Sequence, residues 1–281
     1  MIDLHTHTTC SDGTDSPLTL VKKAASAGIT VLGITDHDTT AGWDEAIASL
    51  HQPISLALGA EVSCLTPDLI SVHMLGLLFD GNNAAMQSLL ADSRDTRIPR
   101  MKKMVANLQG AGFDITYEDV VAATPPGATV GRPHLADALV AKKIVSGRDE
   151  AFADLLNNDS PHYVTHLSPT PEESIKAIRA AGGVAVIAHP FASRRGQILK
   201  ASDFAPLVEA GLNGIEVHHR DQSAEEQRQL IEIARELDLV ITGASDYHGT
   251  GKLNGLGENT THQAQWERLE SVADKRRVVS R

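Results

Sequence analysis

The reactive chemistry of this chain is concentrated in its 13 histidines, which gather beside carboxylates in a few short clusters. His5 and His7 flank Thr6 in Asp3-Leu4-His5-Thr6-His7, and residues two apart on an extended segment project to the same side. Two imidazoles on one side can chelate a borderline ion such as Zn²⁺, Mn²⁺ or Fe²⁺, or they can be a pair of surface histidines. Ser11-Asp12-Gly13 follows, a short loop from which Asp12 can swing back as an oxygen ligand.

The next clusters tip that balance toward metal. The apolar run Val31-Leu32-Gly33-Ile34 leads into Asp36-His37-Asp38, three ionisable residues that are costly after a buried strand unless paired or metal-bound. Gly59-Ala60-Glu61 ends another apolar run, where a carboxylate could bridge two ions. His73 lies inside Ile70–Leu77, a setting in which a single histidine is more often a satisfied core residue, so the other clusters must argue for it. His189 closes Val184–Ala188 and is followed by Pro190, and Asp246-Tyr247-His248 is a second pair two apart. Six such sites are expected at the C-terminal ends of strands, which in α/β barrels is where catalytic groups collect.

The elements that must position them follow a βα rhythm. Strands are expected at Met1–Leu4, Thr30–Ile34, Ser55–Leu58, Ile70–Leu77, Val184–Ala188, Gly214–Val217 and Leu239–Thr242. Helical patterns lie between them at Pro17–Ala27, Thr40–Leu50, Pro171–Ala181 and Ala224–Leu237, with Ser16 and Thr170 as N-caps before Pro17 and Pro171. From about Pro99 to His166 the rhythm breaks into helical patterns (Arg100–Gln109, Pro133–Ala141, Asp149–Leu156) interrupted by the loop Thr124-Pro125-Pro126-Gly127-Ala128. The expected organisation is an α/β chain: a distorted (β/α)7 TIM-like barrel in two parts, residues 1–98 and 167–281, around a small helical insertion at 99–166. Lys275-Arg276-Arg277 reads as a solvated end.

Taken together, Asp3-Leu4-His5-Thr6-His7, Ser11-Asp12-Gly13, Ile34-Thr35-Asp36-His37-Asp38, Gly59-Ala60-Glu61, Ala188-His189-Pro190 and Gly243-Ala244-Ser245-Asp246-Tyr247-His248 resemble the polymerase and histidinol phosphatase (PHP) family of metal-dependent phosphoesterases. The Gly131-Arg132-Pro133-His134-Leu135-Ala136 segment is similar to the branch acting on nucleotides and oligonucleotides. The resemblance implies two or three divalent ions: one held by His5, His7, Glu61 and Asp246, one by Asp12, His37 and His248, and one sharing Glu61 with His73 and His189. Some family members carry histidine where this chain has Asp12, which favours Mn²⁺ or Fe²⁺ over all-zinc occupancy, with Mg²⁺ acceptable at one site. The implied reaction is hydrolysis of a phosphate ester by a hydroxide held between ions, with Glu61 and Asp246 as the carboxylates at the reaction centre. Arg132 and His134 are implied phosphate contacts. Arg194 and Arg195 can grip a second phosphate or form a solvated basic pair, and His219, beside His218, is a candidate proton donor and substrate contact.

The bulk composition narrows the classes. A net charge of −11 argues against coating nucleic acid or an anionic membrane, though not against an anionic substrate next to bound cations. No apolar run approaches the roughly 18 residues of a membrane span, and the Met1-Ile2-Asp3 start lacks a signal-peptide pattern, so a cytoplasmic protein is expected. Cys10 and Cys64 do not suggest a disulfide framework. No G-x-S-x-G or P-loop motif is present. The expected partner is a small phosphorylated molecule, such as a nucleoside 3′,5′-bisphosphate or an AMP-like monoester, with no protein partner inferred. The alternatives are a 5′→3′ exonuclease on short RNA or DNA, a histidinol-phosphate phosphatase, and a non-catalytic PHP scaffold, which would have lost ligands.

Overall fold

A computed structural model of the chain describes residues 1–50, 53–274 and 278–280; the expected solvated run Lys275-Arg276-Arg277 lies outside them. Strand β1 (Ile2–Asp3) leads through α1 (Pro17–Ser26) to β2 (Val31–Ile34), and α2 (Trp43–Ala48) leads to β3 (Ser55–Leu65). A tight turn gives β4 (Ser71–Leu77), followed by helices α3 (Ala84–Gly110), α4 (Tyr117–Ala123), α5 (Arg132–Ala141) and α6 (Arg148–Glu150), the last continued by a π turn, Ala151–Leu155. The remainder is α7 (Pro171–Ala180), β5 (Val184–Ala188), α8 (Phe204–Ala210), β6 (Gly214–His218), α9 (Ala224–Glu236), β7 (Val240–Gly243), α10 (Gln263–Val272) and a short β8 (Val278–Val279). Ser16 and Thr170 cap α1 and α7, accepting from the N–H groups of Thr19 and Glu173.

The strands lie side by side in the order β1 to β7, and a parallel bridge between Thr6 and Tyr247 brings the two ends together, so the sheet nearly closes into the expected barrel. One strand departs from the parallel expectation. β4 runs antiparallel to both β3 and β5, because the connection from Leu65 to Ser71 is too short for a crossover helix. His73 therefore sits near the N-terminal end of its strand, and the reversal carries it to the same mouth as the C-terminal ends of the others. β3 is also longer than expected, continuing to Leu65, so Glu61 lies within the strand.

Strand alternation explains what faces inward. Glu61 is paired with Leu75, and His73 with Ala188, across the β3–β4 and β4–β5 ladders. Leu75 and Ala188 belong to a buried cluster with Leu4, Leu77, Val184, Val186 and Val240. Glu61 and His73 thus share the face of this apolar plug and stand above it toward the mouth.

The segment between β4 and β5 is helical and has its own core, including Met104, Leu108, Val120, Leu135, Leu139 and Leu156. The boundary expected at residue 99 falls inside α3, which passes through Pro99 without ending. The reason is that α3 serves two cores: Met86 and Leu90 pack on the barrel, while Met101, Met104 and Leu108 pack in the helical module. Among the described residues, no helix is long and apolar enough to cross a membrane.

Candidate active site

The strand ends bring the sequence-separated histidines and carboxylates into one cluster. Glu61, 1% exposed, sits at its centre. Its Oε1 lies 3.3 Å from His5 Nε2, 2.8 Å from His73 Nδ1 and 3.3 Å from His189 Nε2. Its Oε2 lies 3.2 Å from His7 Nε2 and 2.9 Å from His37 Nδ1. Two further carboxylates flank it. Asp246 Oδ1 is within 3.4–3.5 Å of His5 and His7 Nε2, and Asp12 Oδ1 is 3.2 Å from His248 Nε2. All nine residues expected as metal ligands therefore meet at the barrel mouth.

Local backbone features set these directions. Asp36 accepts from Thr8 N–H and from the hydroxyls of Thr8 and Ser11, folding the loop that returns Asp12 toward His7. Gly13 permits that fold, since an added Cβ would stand 2.5 Å from the His7 carbonyl oxygen. Asp38 turns away to accept from Arg97 and Ser63, so of the three ionisable residues after β2 only His37 faces the cluster. His189 and Asp246 both have positive φ, 31° and 52°, a rarely populated backbone that non-glycine residues adopt where the surroundings enforce it.

The donor set fits divalent ions. Among the described residues, His37 Nδ1 and His248 Nε2 are buried without a hydrogen-bond partner, although carboxylate oxygens lie 2.9 and 3.2 Å away. Ring nitrogens and carboxylates that approach without hydrogen-bond geometry are aimed at a common point, as ligands of one ion are. The Nε2 atoms of His5 and His7 also meet, 3.0 Å apart in a hydrogen bond, within 3.5 Å of both Glu61 and Asp246. Tautomers are set from outside: His5 Nδ1 bonds Glu216 Oε1 (3.0 Å) and His248 Nδ1 bonds the Asp246 carbonyl (2.8 Å), leaving both Nε2 lone pairs facing the cluster.

Protonation follows from the same contacts. Burial alone would raise the Glu61 carboxyl, but His73, His37 and His5 outweigh it and hold it well below the usual range; Asp246 is lowered likewise by Lys252, His248 and His5. Burial, then Lys252, pushes His248 down to about 3, and burial, then Arg195, depresses His189. Against burial, Asp246 and Glu61 raise His7 to about 9. Ionised carboxylates and neutral imidazoles are the metal-binding forms, and an ion entering beside His7 would displace its proton.

A cavity of about 490 Å³ extends from Asp12, His37, His73 and His189 to the helical module. Its far side carries Arg100 and Arg132. Arg132 Nη1 donates to the Leu156 carbonyl (2.9 Å) and Asn158 Oδ1 (2.7 Å), and Arg100 Nε donates to the Val164 carbonyl (2.6 Å). Both guanidiniums lie over the Tyr163 ring, at 5.3 Å for Arg100 and 5.2 Å for Arg132. Neither has an acidic partner among the described residues; burial, then Arg132, lowers Arg100 to about 10, and burial lowers Arg132.

The other expected substrate contacts are placed less uniformly. His134 is buried and caps α5, its Nδ1 accepting from Gly131 N–H (3.0 Å). Arg194 is exposed at the cavity edge, whereas Arg195 reaches Asp246 Oδ2 (2.8 Å) and Asp221 (2.6 Å). His218 bonds Gln227 on α9, while His219 turns inward, 3.4 Å from Asp246 Oδ2, with Nδ1 accepting from Asp221 N–H. Glu216, Arg97, Arg100, Lys252 and Tyr163 are not singled out as site residues by the sequence. Of these, Glu216 left a readable signal, a carboxylate inside the apolar run Gly214-Ile215-Glu216-Val217.

Comparisons with known proteins agree with this geometry. Residues 3–121 match the family model described as PHP domain. The chain is 33% identical to a Haemophilus influenzae protein named 5′-3′ exoribonuclease, over 92% of this chain and 93% of that one. It is 31% identical to a Chromobacterium violaceum 3′,5′-nucleoside bisphosphate phosphatase, over 89% and 88%. A crystal structure from Bifidobacterium adolescentis, provisionally described as a metal-dependent phosphoesterase, superposes with a TM-score of 0.91 at 42% identity, covering 96% of each chain.

Proposed function

The chain belongs to the PHP-domain family and is a phosphoric ester hydrolase, and from that premise we propose that it removes a phosphate from small nucleotides that carry a second one, such as nucleoside 3′,5′-bisphosphates. The observation that carries this reading is a single cavity with the histidine–carboxylate cluster on one side and two uncompensated guanidiniums, Arg100 and Arg132, on the other. A monophosphate needs only the first side; a bisphosphate uses both.

In this reading the ions would be held by His5, His7, Glu61 and Asp246, by Asp12, His37 and His248, and by Glu61 with His73 and His189. Divalent ions, when bound, supply an activated water and draw charge from the phosphoryl oxygens. The chain's own groups orient the ester. Arg132 anchors the second phosphate through a planar fork that lysine cannot reproduce. His219 Nδ1 accepts from the Asp221 N–H, which leaves Nε2, beside Asp246 Oδ2, as the ring nitrogen available to the leaving oxygen.

A second reading, 5′→3′ trimming of short oligonucleotides, is favoured by Leu253, which lines the cavity yet is 81% exposed, where a following nucleotide would leave the pocket. The test is to strip the protein with a chelator, reload it with Mn²⁺, Zn²⁺ or Mg²⁺, and measure phosphate release. Substrates are a nucleoside 3′,5′-bisphosphate, the corresponding monophosphates and a 5′-phosphorylated oligonucleotide. Mn²⁺ should restore more activity than Mg²⁺, because Mg²⁺ tolerates nitrogen ligands poorly, and the bisphosphate should be the best substrate. Full activity in Mg²⁺ with no transition metal bound would overturn the metal assignment. A preferred oligonucleotide would select the second reading.

A further inference from the structure

Asn158, in the segment that follows the π turn, makes side-chain bonds in two directions. Its Oδ1 accepts from Arg132 Nη1 (2.7 Å), and its Nδ2 donates to the Arg195 carbonyl (3.0 Å). One amide orientation satisfies both, because a guanidinium only donates and a carbonyl only accepts. Arg132 belongs to the cationic side of the cavity. Arg195 belongs to the loop after β5, and its own side chain reaches His189 Nε2 (3.1 Å) and Asp246 Oδ2 (2.8 Å) at the reaction centre.

The contact is close enough to dictate a neighbouring residue. Gly196 has φ of 134°, and a Cβ there would stand 2.6 Å from Asn158 Nδ2. Arg132's other partners, Leu156, Phe152 and Tyr163, all lie within the helical module. They fix the guanidinium relative to the module but not relative to the barrel. Elsewhere the module is tied to the barrel by Arg97 on Asp38 and by Thr129 N–H on the Cys10 carbonyl, both on the side of the first strands, and by Arg148 Nη1 on the Gly251 carbonyl after β7 (3.4 Å). On the side of β5, among the described residues, the side-chain tie is Asn158.

We propose that Asn158 is a positioning residue that sets the distance between the anchored phosphate and the ester to be cleaved, and so selects bisphosphates by the spacing of their two phosphates. This rests on the reading that Arg132 holds the second phosphate. Loss of the strut leaves Arg132 charged and bound within its module, but lets the module drift against the loop that carries Arg195. The anchor then still binds while the ester is misplaced, so the loss falls on kcat more than on KM.

The experiment is steady-state kinetics of the metal-loaded protein, Asn158→Ala and Asn158→Asp, with metal content and melting temperature recorded for each. The substrates are a nucleoside 3′,5′-bisphosphate, its 2′,5′ isomer and the 3′-monophosphate. The unmodified enzyme should separate the two isomers. In Asn158→Ala the ratio of their kcat/KM values should shrink by roughly 10- to 100-fold, the scale expected for a misplacement of about 1 Å. Asn158→Asp keeps an acceptor for Arg132 but loses the donor to the Arg195 carbonyl, so it should lose the same discrimination; being nearly isosteric, it carries the test if the alanine variant fails to fold. Equal losses on all three substrates, or an unchanged isomer ratio in a folded variant, would overturn the strut. An unmodified enzyme that does not prefer a bisphosphate over the monophosphate would overturn the anchor at Arg132 and the strut with it. One that prefers bisphosphates without separating the isomers would overturn the strut alone.

Discussion

The two sides of the cavity handle charge in opposite ways. At the barrel mouth the carboxylates of the cluster meet histidines: Glu61 faces five imidazoles, and Asp246 also meets Arg195 and Lys252. Across the cavity, Arg100 and Arg132 are held by carbonyl oxygens, an asparagine and the Tyr163 ring, none of which neutralises them. Desolvating an unpaired cation is costly, so an anion entering beside the two would be strongly favoured. In the proposed reading, bound divalent ions would balance the carboxylates of the mouth, and the second phosphate of the substrate would balance Arg100 and Arg132.

The comparison breaks most severely at Glu61. Glu61→Gln should lose at least one ion by elemental analysis and lower kcat on the order of 10³-fold or more, because an amide cannot supply two anionic oxygens to neighbouring ions. A variant with full metal content and near-normal turnover would show the carboxylate to be structural. On the opposite side, Arg132→Ala should leave metal content intact and cost about 2–4 kcal/mol of transition-state stabilisation, roughly 30- to 1,000-fold in kcat/KM. Arg132→Lys should recover little of it. If both variants match the unmodified enzyme on the bisphosphate, the anion side must be sought at Arg194, Arg195 and His219.

A smaller effect separates ligands from their supports. Glu216 accepts from His5 and from the His189 N–H, holding two expected ligands without facing the cavity itself. Glu216→Gln should weaken metal affinity about 10- to 100-fold in a chelator competition, with kcat restored at saturating Mn²⁺. Loss of activity that excess metal does not restore would place Glu216 among the reacting groups.

The smallest effect tests the excess positive charge of the module. Burial, then Arg97, pushes His166 down from 6.5 to about 3. Between those values the unfolded chain binds the proton and the folded one does not. The contribution of His166 to stability is therefore full above about pH 6.5 and is lost as pH falls toward 3. His166→Gln should reduce the fall in melting temperature between pH 7 and pH 5 by a few degrees. An identical pH profile would mean that His166 titrates normally and that the module tolerates a further cation.

What could be read along the chain was whatever depends on neighbours in sequence. The i, i+2 pairs His5/His7 and Asp246/His248, and His189 at the end of an apolar strand, announce themselves because strand alternation and burial are local properties. The barrel's strands were legible for the same reason. The reversal of β4, the full length of β3 and the passage of α3 through Pro99 were not, since each depends on which surface the segment packs against rather than on its own pattern. On the cationic side Arg132 was expected, through the resemblance of its Gly131-Arg132-Pro133-His134 segment, but its companions were hidden for a related reason. Arg100, Tyr163 and Asn158 are scattered through helical and loop segments whose spacing carries no period, and only docking of the helical module brings them with Arg132 to one cavity wall. Sequence alone determined that nitrogen and carboxylate donors would converge at the strand ends; the tertiary structure decided where the balancing positive charge would stand, because side chains that meet only through long-range packing leave no local trace.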